Sequence, residues 1–478
     1  MAGSPDSAPP PTPGAGAALL AILAMAQFIV VLDFTIVNVA LRSIQHGLHV
    51  STTTLQWLVS AYAVTFGGFL LLGGRLADVL GRAKLYRIGL GVFVVASTAG
   101  GLAVEPWLLI AARAVEGIGA SLLAPAGLSL LVTSWTEERQ RSHALGVYGA
   151  VASAGFAAGA VIGGLLVEVT WRLVFFVNVP VGVVLFALSW RLLPAAQPNR
   201  SGHLDISGAL TATAGVALLV LGVTLVGETL RPAEPAIAVG AALVLLVAFV
   251  LRERRTTAPL LDLELLSDRG ILGANQSLFA YGACNAADVL LVTLYLQEGR
   301  GLSPVVTGLC FIPQAVGAFA LAGPASKLVP SLGPRRALAL GMSAGLLALV
   351  GAALSVWTQS LAGLLVSLFV MGVSARIVQV AATLAGTHGP IAARAEGSAS
   401  ALLTASRQVG SALGVAIVSA VVVTVHASEG DRTGIAMFVA AGFAFAGLLA
   451  TRLVPGGPAH PLAARLEHAF QRHAGGLP

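Results

Sequence analysis

Apolar runs long enough to cross about 30 Å of hydrocarbon recur along the whole chain, separated by short segments carrying Arg, Pro and Gly. The pattern predicts an all-α membrane protein with fourteen transmembrane helices. They lie at about 16–44, 53–73, 85–104, 107–133, 143–165, 173–193, 206–227, 235–251, 271–297, 303–327, 336–357, 360–386, 397–425 and 433–452. Only 10% of the 478 residues are charged and 56% are hydrophobic, with a mean hydropathy of +0.88. A soluble fold of this size needs roughly a quarter charged residues to clothe its surface, whereas lipid-facing helices need none. The 56 glycines fit the same solvent, because in a bilayer they let helices approach closely where apolar attraction between them is absent.

The formal charge of +6 is not a nucleic-acid stripe, since the basic residues are spread over the short loops. With the N-terminus placed inside, nineteen Lys and Arg fall on cytoplasmic segments and five (Arg42, Arg172, Arg231, Arg300 and Arg432) on external ones. That asymmetry predicts both termini cytoplasmic in a bacterial inner membrane. Residues 1–15, rich in Pro, Gly and Ser and without a positive n-region, read as a disordered cytoplasmic tail and not a cleaved signal. In the tail 453–478, Leu462, Leu466 and Phe470 recur at i, i+4, i+8, either as an amphipathic helix on the inner surface or as a loose tail.

The charged segments 190–205 and 252–269 bracket the seventh and eighth spans, which look inserted. Removing that pair leaves six helices on each side. The expected organisation is a six-helix bundle over 16–193, a linker with two helices over 194–269, and a second six-helix bundle over 270–452. The halves are then related by a pseudo-twofold axis along the membrane normal.

Between the second and third spans the chain reads GRLADVLGRAK, from Gly74 to Lys84. This resembles the loop G-x-L-A-D-x-x-G-R of the major facilitator superfamily. Gly81 permits a tight turn, Asp78 can bond a neighbouring helix N-terminus, and Arg82 can hold the acid in place. The resemblance implies that Gly74, Asp78, Gly81 and Arg82 form a latch between the halves, broken and remade as the transporter changes state. Further segments resemble the 14-helix drug:proton antiporters of the EmrB/QacA type. They are LDFTIVNVAL (32–41), QWLVSAY (56–62), RAVEGIGA (113–120), WRLVFFVNVPVG (171–182), YLQEGRGLSP (295–304) and SRQVGSALG (406–414). In the fifth span Gly146, Gly155, Gly159, Gly163 and Gly164 resemble the antiporter motif, with a GxxxG face for close packing against the opposite half. Three positions depart from the family pattern: Ala160 in place of proline, Glu116 in place of glutamine, and Arg42, on an external loop, in place of proline.

Ionisable residues deep in spanning helices cost about 2.5 to 3.5 kcal/mol each on insertion scales, so they face a cavity or a partner. Five stand there: Asp33, Arg113, Glu116, Asp288 and Arg376. They fall on the first, fourth, ninth and twelfth spans, the helices that the resemblance places around the central cavity. Asp33 and Asp288 lie at similar depth in equivalent helices, and Glu116 shares a helix face with Arg113. Asp33, Glu116 and Arg113 are therefore the expected proton-coupling group. Asp288, Arg376, Gln379 and Asn38 are expected at the substrate cavity. Arg407, near the cytoplasmic end of its span, is expected to meet interface carbonyls or lipid phosphate. His46 and His49 read as solvated, and Cys284 and Cys310 as packing residues without metal-ligand spacing.

The function implied is proton-driven efflux of small amphiphilic compounds, drugs or antibiotics, by a monomer working by alternating access. The alternatives are a dedicated exporter of one metabolite or antibiotic and a non-transport membrane sensor. There is no G-x-x-x-x-G-K-[ST] loop and no paired catalytic constellation, so neither ATP coupling nor an enzyme, a metal or a cofactor is expected. Reporter fusions check the orientation: one after Pro478 should read inside and one in the 228–235 loop outside, and the opposite pattern overturns it.

Overall fold

The computed structural model describes residues 13–135, 137–193, 205–226, 233–256, 259–261, 263–387, 396–425 and 427–455. Most of the two expected tails, with the Leu462–Phe470 face, and the 228–232 loop with Arg231 lie outside the described residues. Among the described residues there is no strand. The helices are α1 (Pro13–Leu48), α2 (Thr52–Leu80), α3 (Arg82–Leu102), α4 (Pro106–Ser134), α5 (Glu138–Val169), α6 (Leu173–Phe176), α7 (Asn178–Leu192), α8 (Ile206–Val226) and α9 (Ala233–Glu253). They continue as α10 (Arg269–Leu294), α11 (Pro304–Cys310), α12 (Ile312–Ala320), α13 (Ala322–Leu332), α14 (Pro334–Trp357), α15 (Leu361–Thr387), α16 (Glu396–Thr424) and α17 (Glu429–Ala450). Twelve spans among the described residues are long and apolar enough to cross a membrane.

Local chemistry explains the boundaries. Ser51 caps α2 by accepting from the Thr54 amide, Asp268 caps α10 at the Gly270 and Ile271 amides, and Ser303 caps α11 just ahead of Pro304. Gly81 turns the chain from α2 to α3 at φ 87°, and Gly333 does the same between α13 and α14 at φ 76°. Both angles belong to glycine's region of backbone space, and the repeat marks the same turn in each half.

Two expected spans are not single helices. The stretch predicted as 303–327 is α11, α12 and the start of α13, stepped at Phe311 and Leu321. Pro313 and Pro324 stand two and three residues past these steps, where each lacks the N–H that would continue the ladder. The sixth span is stepped at Val177, because Pro180 offers no N–H to the Phe176 carbonyl. Arg42 is not on a loop either: α1 runs on to Leu48 and carries it.

In the first half α1 packs along α5, and α2 and α3 along α4; in the second, α10 packs along α16, and α14 along α15 and α17. The halves meet where α2 lies on α16 and where α5 lies on α11. The hairpin α8–α9 sits against this seam through α8, which touches both α2 and α16. Its outer member α9 leaves Ile237, Leu243, Val244 and Val247 exposed, an apolar face suited to lipid. Below the hairpin, Asp205 accepts the Arg252 guanidinium through both carboxylate oxygens at 3.0–3.1 Å and the Gly208 amide at 2.8 Å. Burial pushes the Asp205 carboxyl up, but the bonds from Arg252, Gly208 and Ser207 outweigh it and hold the acid below its ordinary value.

The glycine face of α5 has a different partner from the one expected. A Cβ on Gly155 would stand 2.8 Å from the Phe28 carbonyl, one on Gly159 2.7 Å from the Leu32 carbonyl, and one on Gly163 2.8 Å from the Ile36 side chain, all on α1 of the same half. Only Gly164 of this set meets the opposite half, against Pro304 and Val305 of α11. Helix α16 repeats the arrangement on α10, where Cβ atoms on Gly410 and Gly414 would stand 2.0 and 2.3 Å from the Phe279 and Ala283 carbonyls. Bulk therefore has no room on α5. Gly159→Leu should abolish stable expression or sharply lower the detergent melting temperature, since overpacking costs about 1–3 kcal/mol; an unchanged melting curve contradicts the packing.

Candidate functional site

Three buried charges meet inside the first half. Asp33 on α1, Arg113 on α4 and Glu116 on α4 are 0%, 1% and 0% exposed, so water reaches none of them. One guanidinium nitrogen, Nη1 of Arg113, donates to Asp33 Oδ2 at 2.6 Å and to Glu116 Oε2 at 2.7 Å. Arg113 Nε donates to the Leu58 carbonyl at 3.1 Å, and its guanidinium lies over the Tyr62 ring, 4.4 Å from the centroid. The second oxygen of Asp33 accepts from Asn178 Nδ2 at 2.8 Å, and the same amide reaches Ser97 Oγ at 3.1 Å. Ser97 in turn donates to the Phe175 carbonyl at 3.0 Å.

The i, i+3 spacing on α4 explains why Arg113 and Glu116 meet, and the step at Val177 sets Asn178 at the start of α7, where it can reach α1. Two carboxylates on one guanidinium carry a formal charge of −1 when both are ionised and zero when they share a proton.

Beside the triad lies a cavity of about 830 Å³ between the halves. Tyr62 forms the partition: its ring carries Arg113 on one side and it lines the cavity itself. The lining runs from Phe34, Phe156, Asn285 and Gln314 to Gly74, Arg75, Val132 and Ser400, so the cavity reaches toward the end that carries the α2–α3 turn. At the other end the halves are joined. Arg42 Nη1 donates to the Gln297 carbonyl, and Gln297 Nε2 donates back to the Val39 carbonyl at 3.1 Å. A Cβ on Gly308 would stand 2.1 Å from the carbonyl of Ala160, which packs α11 tightly onto α5 at the position that departs from proline.

The residues expected at the cavity divide. Arg376 and Gln379 line it; Asn38 and Asp288 do not. Asn38 stands one turn beyond Phe34, buried, with Nδ2 on the Phe34 carbonyl at 2.6 Å, and Asp288 stands three residues beyond Asn285 with Oδ2 buried and without a hydrogen-bond partner. Asp33 and Glu116 are likewise behind the wall. Arg407 corrects its expectation, because it lines the cavity between Tyr62 and Tyr281. Helix α16 begins at Glu396, so Arg407 is about three turns inside it and not at its mouth. Of the expected latch, Gly74 lines the cavity and Gly81 makes the turn, while the Asp78 side chain lies outside the described residues.

Residues 23–415 match the description of the Major Facilitator Superfamily. The chain belongs to that superfamily. Within it, the chain is 36% identical over 413 residues to the cephamycin export protein CmcT of Amycolatopsis lactamdurans, covering 83% of each protein. It is 36% identical to the puromycin resistance protein pur8 of Streptomyces alboniger over 84% of this chain and 81% of that one. To the multidrug resistance protein Stp of Mycobacterium tuberculosis it is 32% identical, over 84% and 75%. A crystal structure of the peptide transporter POT in complex with sulfate shares the superfamily fold, with a TM-score of 0.66 and 16% identity over 92% of this chain and 96% of that one. A superfamily member with such relatives is a multi-pass membrane transporter of small molecules.

Four of the quoted motifs, far apart in sequence, converge on the triad: LDFTIVNVAL gives Asp33, QWLVSAY gives Leu58 and Tyr62, RAVEGIGA gives Arg113 and Glu116, and WRLVFFVNVPVG gives Asn178 and the Phe175 carbonyl. Asn178 and Tyr62 were not singled out as site residues, although a polar Asn inside an apolar run was their available signal. Asn178→Ala should leave Asp33 Oδ1 without its donor and lower the transport rate about tenfold, the worth of one hydrogen bond to a charged group; an unchanged rate in everted vesicles removes Asn178 from the site.

Proposed function

We propose that this chain expels small amphiphilic compounds, drugs or antibiotics, across the cytoplasmic membrane in exchange for protons. The reading has fourteen crossings, with α2 and the stepped α11–α13 added to the twelve apolar spans, both termini inside, and the cavity facing the cytoplasm. The observation that carries it is the triad: two acids on one arginine, closed to water, with the Tyr62 ring lying on that arginine and also lining the cavity. Relatives named for antibiotic export and resistance support the outward direction.

The cycle follows from charge. With its proton the cluster is neutral; without it the net −1 stands behind the cavity wall and repels or attracts what lies there. The groups that face the cluster from the packed helices are Asp33 from α1, Tyr62 from α2, Arg113 and Glu116 from α4, and Asn178 from α7. Opening the external end breaks the Arg42–Gln297 contact and exposes the other side, where a proton enters as the substrate leaves. An inward potential supplies about 2.3 kcal/mol per proton per 100 mV, with the pH gradient added to it, so no ATP is needed. A dedicated exporter of one compound is the second reading, favoured by relatives named for single antibiotics.

Asp33→Asn keeps size and hydrogen bonding but removes titration. Gradient-driven efflux should fall below about a tenth of wild type, while substrate exchange between equal compartments persists because it needs no net proton transfer. Full pH-dependent efflux in Asp33→Asn, with loss in Asp288→Asn or Glu116→Gln instead, overturns the assignment of Asp33.

A further inference from the structure

The cavity is charged in one sense only. Among the described residues that line it, the ionic side chains are Arg75, Arg376 and Arg407, and no Asp or Glu joins them. The acids of the central region are withheld: Asp33 and Glu116 are held by Arg113 behind Tyr62, and Asp288 is buried beyond Asn285. Among the described residues neither Arg376 nor Arg407 forms an ion pair. Nε of Arg376 is buried without a hydrogen-bond partner. Its guanidinium reaches across the cavity to the opposite half, 3.7 Å from where a Cβ on Gly149 of α5 would stand. Arg75 differs, since it donates to the Pro259 carbonyl at 2.9 Å.

We propose that the cavity selects anionic amphiphiles, compounds that carry a carboxylate or sulfonate on an apolar body. A guanidinium taken from water without a counter-ion is costly, and a bound anion repays that cost through charge-assisted, often bidentate hydrogen bonds. Phe34, Phe66, Leu70 and Phe156 supply the apolar wall for the rest of the molecule. The volume of about 830 Å³ falls in the range of drug-sized sites. A cation of the same size gives up its hydration opposite three arginines and finds no carboxylate, which is discrimination by repulsion. Arg376 extends from one half to the helix of the other, so the anion bridges the halves. This selectivity rests on the efflux reading of the same cavity.

The test separates the two. Fluorescein, an anion, and a rhodamine methyl ester, a cation, are xanthenes of similar size, and their binding to the purified whole chain is followed by fluorescence anisotropy without any gradient. Their uphill movement is then followed in everted vesicles. Fluorescein should bind at least about tenfold tighter than the cation, the worth of one charge-assisted pair. Arg376→Gln and Arg407→Gln should each remove most of that preference, Arg376→Lys should keep part of it, and Arg376→Glu should reverse it. Arg376→Lys and Arg407→Gln keep the test decisive where Arg376→Gln fails to fold. Tighter binding of the cation, binding of neither dye, or an anion preference unchanged in both glutamine variants overturns the proposal. Fluorescein bound but never pumped upholds the selectivity and overturns the efflux reading; the cation pumped uphill with fluorescein ignored does the reverse.

Discussion

The first half of this transporter is organised around a single guanidinium. Arg113 holds Asp33 from α1 and Glu116 from its own helix, takes the Leu58 carbonyl and the Tyr62 face from α2, and meets α7 through Asn178 on Asp33. Removing either acid changes the charge of a dry site, and removing the arginine leaves two buried carboxylates without a counter-ion, the case in which buried pairs are most costly to break. The shared nitrogen ties the two acids to each other. Four helices meet on the cluster, and Tyr62, whose ring lies on the Arg113 guanidinium, also lines the cavity.

Close helix packing frames that cluster. The glycine faces of α5 on α1 and of α16 on α10 bring backbones together without side chains between them, so each half has little slack. The halves join at one end through Arg42 and Gln297, and through Gly308 on Ala160, while the cavity reaches the other end. Ala160 has no missing N–H to kink α5, and its carbonyl instead receives the second half at close range. Arg42, out of place as a motif residue, donates across the seam as part of the closed end.

The helical class, the helix order and the five charges deep in the spans were legible because lipid imposes a simple length and polarity rule on every segment; Asp33, Arg113, Glu116 and Asp288 are buried, while the half-buried Arg376 lines the cavity. Arg113 and Glu116 were legible as a pair from their i, i+3 spacing. What the chain order does not carry is the direction in which a helix turns its face. Asp33, Asn38 and Asp288 sit on cavity helices yet point away from the cavity, a difference of one turn or less from Phe34 and Asn285. Arg407 was read as lying near the helix end, although the expected span, like α16, already placed it about three turns inside. The glycines of α5 were correctly small, but a GxxxG face does not say which neighbour it meets. The steps at Phe311 and Leu321 had their signal in Pro313 and Pro324, hidden inside an otherwise apolar run.

The central claim is that Asp33 and Glu116 hold one proton between them. Infrared difference spectra of the whole chain in membranes, recorded between two pH values, test it through the carbonyl stretch of protonated carboxyl groups. The account predicts one band that disappears in Asp33→Asn and equally in Glu116→Gln, because each variant dissolves the shared site. Two bands, each removed by only one of the variants, or a spectrum that neither variant changes, would contradict it.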